Sequence, residues 1–71
     1  MKVTTKVRTL RTLAVDAGIT IDSSRGKGSH ELWIREGCVP FTFTPGHGKE
    51  CSMGVARKAV AFIEGRIHAA F

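Results

Sequence analysis

Long apolar runs are missing from this sequence of 71 residues, and with them any candidate membrane span. A signal-peptide core is missing as well, since Lys2, Lys6, Arg8 and Arg11 interrupt the first residues, so the expected location is the cytoplasm. Cysteine is scarce. Cys38 and Cys51 are too few and too irregularly placed for a disulfide framework, and in a reducing compartment both are expected as free thiols. No internal repeat, low-complexity tract or linker breaks the chain. One domain covering residues 1–71 is expected, with a single small core.

Acidic residues are also short in supply. Six Asp and Glu stand against eleven Lys and Arg, a formal net charge of +5. On so small a body that charge attracts phosphate polymers or acidic protein partners. Apolar residues make up 42% of the chain, enough for a globular fold rather than a disordered segment.

Hydrophobic spacing divides the chain into five elements. Thr4 or Thr5 is the expected cap of a first helix, with Val7, Leu10, Leu13, Ala14 and Ala17 on one face and Gly18 as its stop. The stretch from Ile19 to Ser23 alternates as a strand does. His30 to Arg35 alternates again, with Leu32 and Ile34 on one side and Trp33 on the other. Glu36-Gly37 predicts a turn, and Val39, Phe41 and Phe43 a third strand, with Pro40 at its start or on an edge. Ser52 is the expected cap of a second helix, whose stripe is Val55, Ala59, Phe62, Ile63 and Ile67, weakened near Gly65. The expectation is an α+β fold of order α-β-β-β-α, with a three-stranded antiparallel sheet and both helices on one face.

Two loops carry the chemistry. Gly28-Ser29-His30 follows Arg25-Gly26-Lys27 and opens the second strand, which puts an imidazole between a glycine-rich basic loop and a rigid element. The second loop is Thr44-Pro45-Gly46-His47-Gly48-Lys49-Glu50, and Gly54-Val55-Ala56-Arg57-Lys58-Ala59 opens the last helix. Gly26 to His30 resembles the basic loop and Gly-Ser-His motif of HicA toxins. The second loop resembles that family's Pro-x-His-x-Lys-Glu segment, and the start of the last helix resembles its glycine-led opening. The three motifs occur in the family's order, and the resemblance covers essentially the whole chain.

That resemblance implies a double-stranded-RNA-binding-domain-like fold, cleavage of messenger RNA, and neutralisation by a HicB-like antitoxin. It implies His30 as the catalytic residue. The residues read by themselves suit the same chemistry. RNA can be cut without a metal when the adjacent 2′-hydroxyl is the nucleophile, which needs a proton acceptor, a proton donor and cations around the phosphorane. An imidazole, with an unperturbed pKa of roughly 6.5, serves either proton transfer near neutrality. His30 is therefore the candidate general base or acid. Arg25 and Lys27 are candidates to neutralise phosphate, and Gly28 to let the backbone approach it. Ser29 is a candidate loop-orienting or phosphate-binding hydroxyl, and His47 and Lys49 are candidate substrate contacts.

Other readings stay open. His47 can instead be the second proton-transfer group or hold its own loop together. Trp33 is either exposed for base stacking or packed against the sheet, whereas Phe43, in phase with Phe41, is expected in the core. Arg8, Arg11, Arg57 and Lys58 are expected on solvated helix faces, where a cluster could guide RNA or meet an acidic partner. Cys38, His47 and Cys51 match no familiar ligand spacing, so neither a metal nor another cofactor is expected. The basic charge serves a non-catalytic RNA-binding module or a protein-interaction domain equally well. Oligomeric state is left open.

Overall fold

The structure, a computed structural model, describes residues 3–23 and 30–65. Helix α1 spans Val7–Asp16, strands β1, β2 and β3 span Thr20–Asp22, Glu31–Ile34 and Phe41–Phe43, and helix α2 spans Met53–Ile63. The sheet is antiparallel in the order β1-β2-β3. Ile21 pairs with Trp33, which pairs in turn with Phe41, and Glu31 pairs with Phe43. Alternation therefore sends Ile21, Glu31, Trp33, Phe41 and Phe43 to one face. Both helices cover that face. The opposite face, with Thr20, Leu32, Ile34 and Thr42, is left to solvent or only half-buried. The α-β-β-β-α order and the one-sided helices are those expected from the hydrophobic spacing.

Trp33 and Phe43 are fully buried at the centre of the core, beneath Leu10 and Ala14 of α1 and Ala56, Ala59, Val60 and Phe62 of α2. The rings interlock. Trp33 lies 4.5 Å from Phe43 and 5.8 Å from Phe41, centroid to centroid, and Phe41 stacks on Phe62 at 5.2 Å. Such pairs add to the area they bury. Trp33 is thus a core residue, unavailable for base stacking. The apolar pair Leu32 and Ile34 on the other side of β2 faces outward.

The helix ends are closed in three different ways. Gly18, at φ +86°, lets the chain reverse after α1. Its amide donates to Val15 O, and the Ile19 amide donates to Ala14 O, each at 3.0 Å, the bond pair of a Schellman motif. Ile19 then buries its side chain in the core. Ser52 caps α2 by accepting from the Val55 amide at 3.2 Å. At the far end of α2 the chain turns at Gly65, φ +75°, so the helix stops at Ile63 instead of continuing through a weak point, and Ile67 lies outside the described residues. Arg35, from the end of β2, donates there to Phe62 O at 2.8 Å and to Ile63 O at 2.7 Å. A cation at the negative end of a helix dipole is favourably placed, and its guanidinium also sits 5.7 Å from the Phe62 ring centre.

The start of α1 departs from expectation. Its N-cap is Lys6, with no side-chain cap. Thr4 accepts from the Lys6 amide at 3.2 Å, while the Thr5 hydroxyl donates to Glu50 at 2.6 Å. Thr5 is drawn off by a partner remote in sequence. The backbone follows the same course: the Val7 amide donates to Lys49 O at 3.0 Å and the Cys51 amide to Thr5 O at 2.9 Å. This short antiparallel bridge, centred on Lys6 and Glu50, ties the entrance of α1 to the entrance of α2.

Trp33→Ala should lower the unfolding free energy by roughly 3–5 kcal/mol, measured by urea denaturation, whereas Val15→Ala on the exposed face of α1 should change it by about 0.5 kcal/mol or less. Equal effects would contradict the placement of Trp33. Burial pushes the Cys51 thiol above its ordinary pKa, and the nearby Glu50 carboxylate adds to the effect. The folded state thus prefers the protonated thiol, so this contribution is complete below the ordinary thiol range and is lost as the pH rises through it. Iodoacetamide at mildly alkaline pH should therefore label half-buried Cys38 first and Cys51 only on denaturation. Mass spectrometry of the labelled peptides checks this, and equal labelling of the native protein would refute it.

Candidate nucleic-acid cleft

The bridge between the two helix entrances forms one wall of a cleft of about 1020 Å³. The N-cap and first two turns of α1 contribute Lys6, Arg8 and Arg11. The end of β1 and the start of β2 contribute Ser23, His30 and Glu31, and the 45–50 loop contributes His47, Lys49 and Glu50. Three segments remote in sequence therefore meet at one opening.

His30 is exposed and immediately precedes β2, whose first residue, Glu31, turns inward. His47 is exposed on the loop that the bridge holds against α1. The structure thus brings His30, His47 and Lys49 to one cleft, as their candidate roles require. Arg25, Lys27, Gly28 and Ser29 lie outside the described residues.

Glu31 sets the electrostatics of the floor. Only 5% exposed, it occupies the same face of the sheet as Trp33 and Phe43. An unpaired carboxylate there would be costly. Arg11 supplies the counter-charge: its Nε donates to the two carboxylate oxygens at 3.1 and 2.9 Å, and its Nη2 donates to Oε2. The Trp33 indole N–H donates to Oε1 at 3.4 Å. Among the described residues, no buried side-chain polar atom is left without a partner. These hydrogen bonds and the charge of Glu31 raise the pKa of Arg11, holding the guanidinium protonated.

With both oxygens of Glu31 occupied, and Glu50 accepting from Thr5, the carboxylates of the cleft are committed within the protein. Of the cleft's described cations, Arg11 alone is committed in the same way. Arg8 and Lys49 form no ion pair among the described residues, and four basic side chains, Lys6, Arg8, Arg11 and Lys49, face two carboxylates. The opening is therefore net positive, and its concave walls concentrate that field on an incoming anion. No three His, Cys, Asp or Glu side chains among the described residues are grouped so as to hold a metal ion. No described helix is long and apolar enough to cross a membrane.

Arg8 and Arg11, expected on a solvated helix face where a cluster could guide RNA, line the cleft, and so does Glu31, which the linear pattern did not mark. Arg8 and Arg11 are one turn apart on α1, and only the tertiary fold shows that they share the opening with His30. Arg57 and Lys58 are exposed on α2 and do not line it. Glu31 did carry a signal. A carboxylate in phase with a core tryptophan on a strand demands a cation from another element.

No family model, curated protein or solved structure matches the chain.

Arg11→Ala leaves Glu31 buried without its counter-charge and should cost roughly 1–3 kcal/mol of stability. Adding Glu31→Gln should recover part of that loss, because a neutral amide needs no cation. A double-mutant cycle by urea unfolding measures the coupling, and strictly additive effects would show that the two side chains do not depend on each other.

Proposed function

We propose that this protein is a HicA-like toxin, a small endoribonuclease that cleaves single-stranded or locally unpaired messenger RNA without a metal. The observation that carries the proposal is the meeting of His30 and His47 with Arg8, Arg11 and Lys49 in one net-positive cleft. The resemblance of residues 26–30 and 44–50 to the HicA motifs supports the same reading.

In this mechanism the phosphodiester enters the cleft against the cations. His30 exchanges a proton with the reacting ribose-phosphate. The 2′-hydroxyl oxygen attacks the adjacent phosphorus while its proton passes to a base. The bond to the 5′-oxygen of the next nucleotide breaks, and that oxygen takes up a proton. The products are a 2′,3′-cyclic phosphate and a free 5′-hydroxyl, with no water consumed in the step. A base and an acid are both needed, and the two imidazoles come from separate segments of the chain. Arg8, Arg11 and Lys49 stabilise the charge that builds on the phosphorane. Arg25, Lys27, Ser29 and the backbone at Gly28 are the further phosphate contacts that the basic Gly-Ser-His motif suggests from sequence.

Regulation follows from the charge. An acidic HicB-like antitoxin that covers the cleft would inhibit by exclusion, and the +5 net charge speeds its association. The protein works in the cytoplasm, where its messenger RNA substrate is.

Purified protein incubated with RNA in excess chelator should produce fragments ending in 2′,3′-cyclic phosphate, detected by mass spectrometry. His30→Ala should slow cleavage by about 10²–10⁴-fold, with folding unchanged by circular dichroism. A substrate carrying 2′-deoxyribose at the cut site should stay intact. Wild-type activity in His30→Ala would remove that residue from the mechanism. Salt-sensitive binding that leaves the RNA whole would instead identify a non-catalytic RNA-binding module.

A further inference from the structure

We infer that Arg11 is the fixed phosphate contact of the cleft and that Glu31 is its positioning residue. The inference rests on the ribonuclease reading for the identity of the ligand, a single-stranded phosphodiester chain, and adds to it a residue placed by geometry alone.

Arginine has five N–H donors in a rigid planar fork. Glu31 engages those of Arg11 at Nε and Nη2, and Nη1 makes no hydrogen bond among the described residues. The side chain is 47% exposed and lines the cleft, so one edge of the guanidinium is clamped while the other meets solvent. Lys6, Arg8 and Lys49 line the same opening without such a clamp. A charge already held in place gives up little conformational freedom when a phosphate binds it, which makes Arg11 the best prepared of the four.

The clamp also fixes Arg11 relative to the reacting group. Glu31 directly follows His30 in the chain, so the residue that aims the guanidinium and the residue that moves the proton share one peptide bond. The phosphate contact is thereby anchored one residue from the backbone of His30, and both side chains line the same cleft. Glu31 itself takes no proton from substrate, because Arg11 and Trp33 occupy its oxygens. It acts through Arg11. The Trp33 indole holds the carboxylate from beneath and so belongs to the same support.

The test uses the pair Arg11→Met/Glu31→Gln, which removes one charge of each sign. Net charge stays at +5, and no buried carboxylate is left unpaired. Long-range attraction is thus preserved, so a change in salt dependence reports a direct contact. The probe is a single-stranded oligodeoxynucleotide, which has no 2′-hydroxyl and cannot be cut by the proposed route. Its affinity is followed by fluorescence anisotropy over a series of salt concentrations, with folding checked by circular dichroism. The double variant should bind about tenfold more weakly, and the slope of log affinity against log salt should become shallower by about 0.7, the value for one lost phosphate contact on a single strand. Arg11→Lys keeps a cation beside Glu31 and gives the test should the double variant unfold. It should restore most of the slope while cleaving RNA with a kcat about tenfold lower at similar KM, because a point charge does not reproduce the clamped fork.

An unchanged affinity and slope in a folded double variant would overturn the inference. So would wild-type kcat in Arg11→Lys. If the wild type binds with the Arg11-dependent slope yet leaves RNA intact, the phosphate contact stands and the cleavage reading falls. If RNA is cut but neither variant is affected, cleavage stands and the contact falls. Failure of the wild type to bind the oligonucleotide at all would overturn the contact regardless of the cleavage result.

Discussion

Glu31 is an ionisable side chain in the layer between sheet and helices, and much of the molecule is arranged around satisfying it. The cation that does so comes from α1, 20 residues earlier in the chain, and the donor below it is the central aromatic of the core. That one carboxylate therefore links the first helix, the middle strand and the cleft floor. Ion pairs of this kind add little net stability over a well-packed apolar pair, but removing one partner is costly. The pair consequently fixes the register of α1 over β2 more than it strengthens the fold. It also leaves a half-exposed guanidinium at a defined place, at the edge of a basic opening.

The second wall of that opening is built from backbone. The bridge between residues 5–7 and 49–51 holds the His47 loop against the start of α1. Floor and wall thus rest on different physics, one on an ion pair under the helices, the other on two main-chain hydrogen bonds donated by Val7 and Cys51. The sheet contributes only the end of β1 and the start of β2.

Most of the architecture was legible in the residue pattern because it depends on local periodicity. The stripe Val7, Leu10, Leu13 and Ala14, the stop at Gly18, the centres of the three alternating runs and the cap at Ser52 appear where spacing puts them, whereas Ala17 is exposed beyond the end of α1 and Val39 is exposed ahead of β3. What was not legible depends on partners distant in the chain. Thr5 has the chemistry of a helix cap, but Glu50 takes its hydroxyl. Alternation separates Trp33 from Leu32 and Ile34 without saying which side the helices cover, and the choice follows from the aromatic cluster of Trp33, Phe41, Phe43 and Phe62. Gly65 is a helix terminator here because its positive φ closes α2, a role that propensity alone does not distinguish from a weak point within a longer helix. For the cleft, His30, His47 and Lys49 were visible as motif residues. Arg8, Arg11 and Glu31 gain their meaning only when α1 crosses the start of β2.

The bridge also bears on when the cleft exists. Thr5 and Glu50 are 45 residues apart, so their contact closes everything from the entrance of α1 to the entrance of α2 into one loop. Closing so long a loop costs entropy that local helix formation does not, which places this contact late in folding. On a ribosome, the entrance of α1 emerges long before the segment it pairs with, and the nascent chain has no second wall until residue 51 is free. In the finished protein the two main-chain hydrogen bonds of the bridge are donated by Val7 and Cys51, both buried, so the closed wall is anchored in the core. The second wall thus waits on a contact of long sequence separation to form, yet once closed it shares its anchorage with the floor, which the core holds through Trp33.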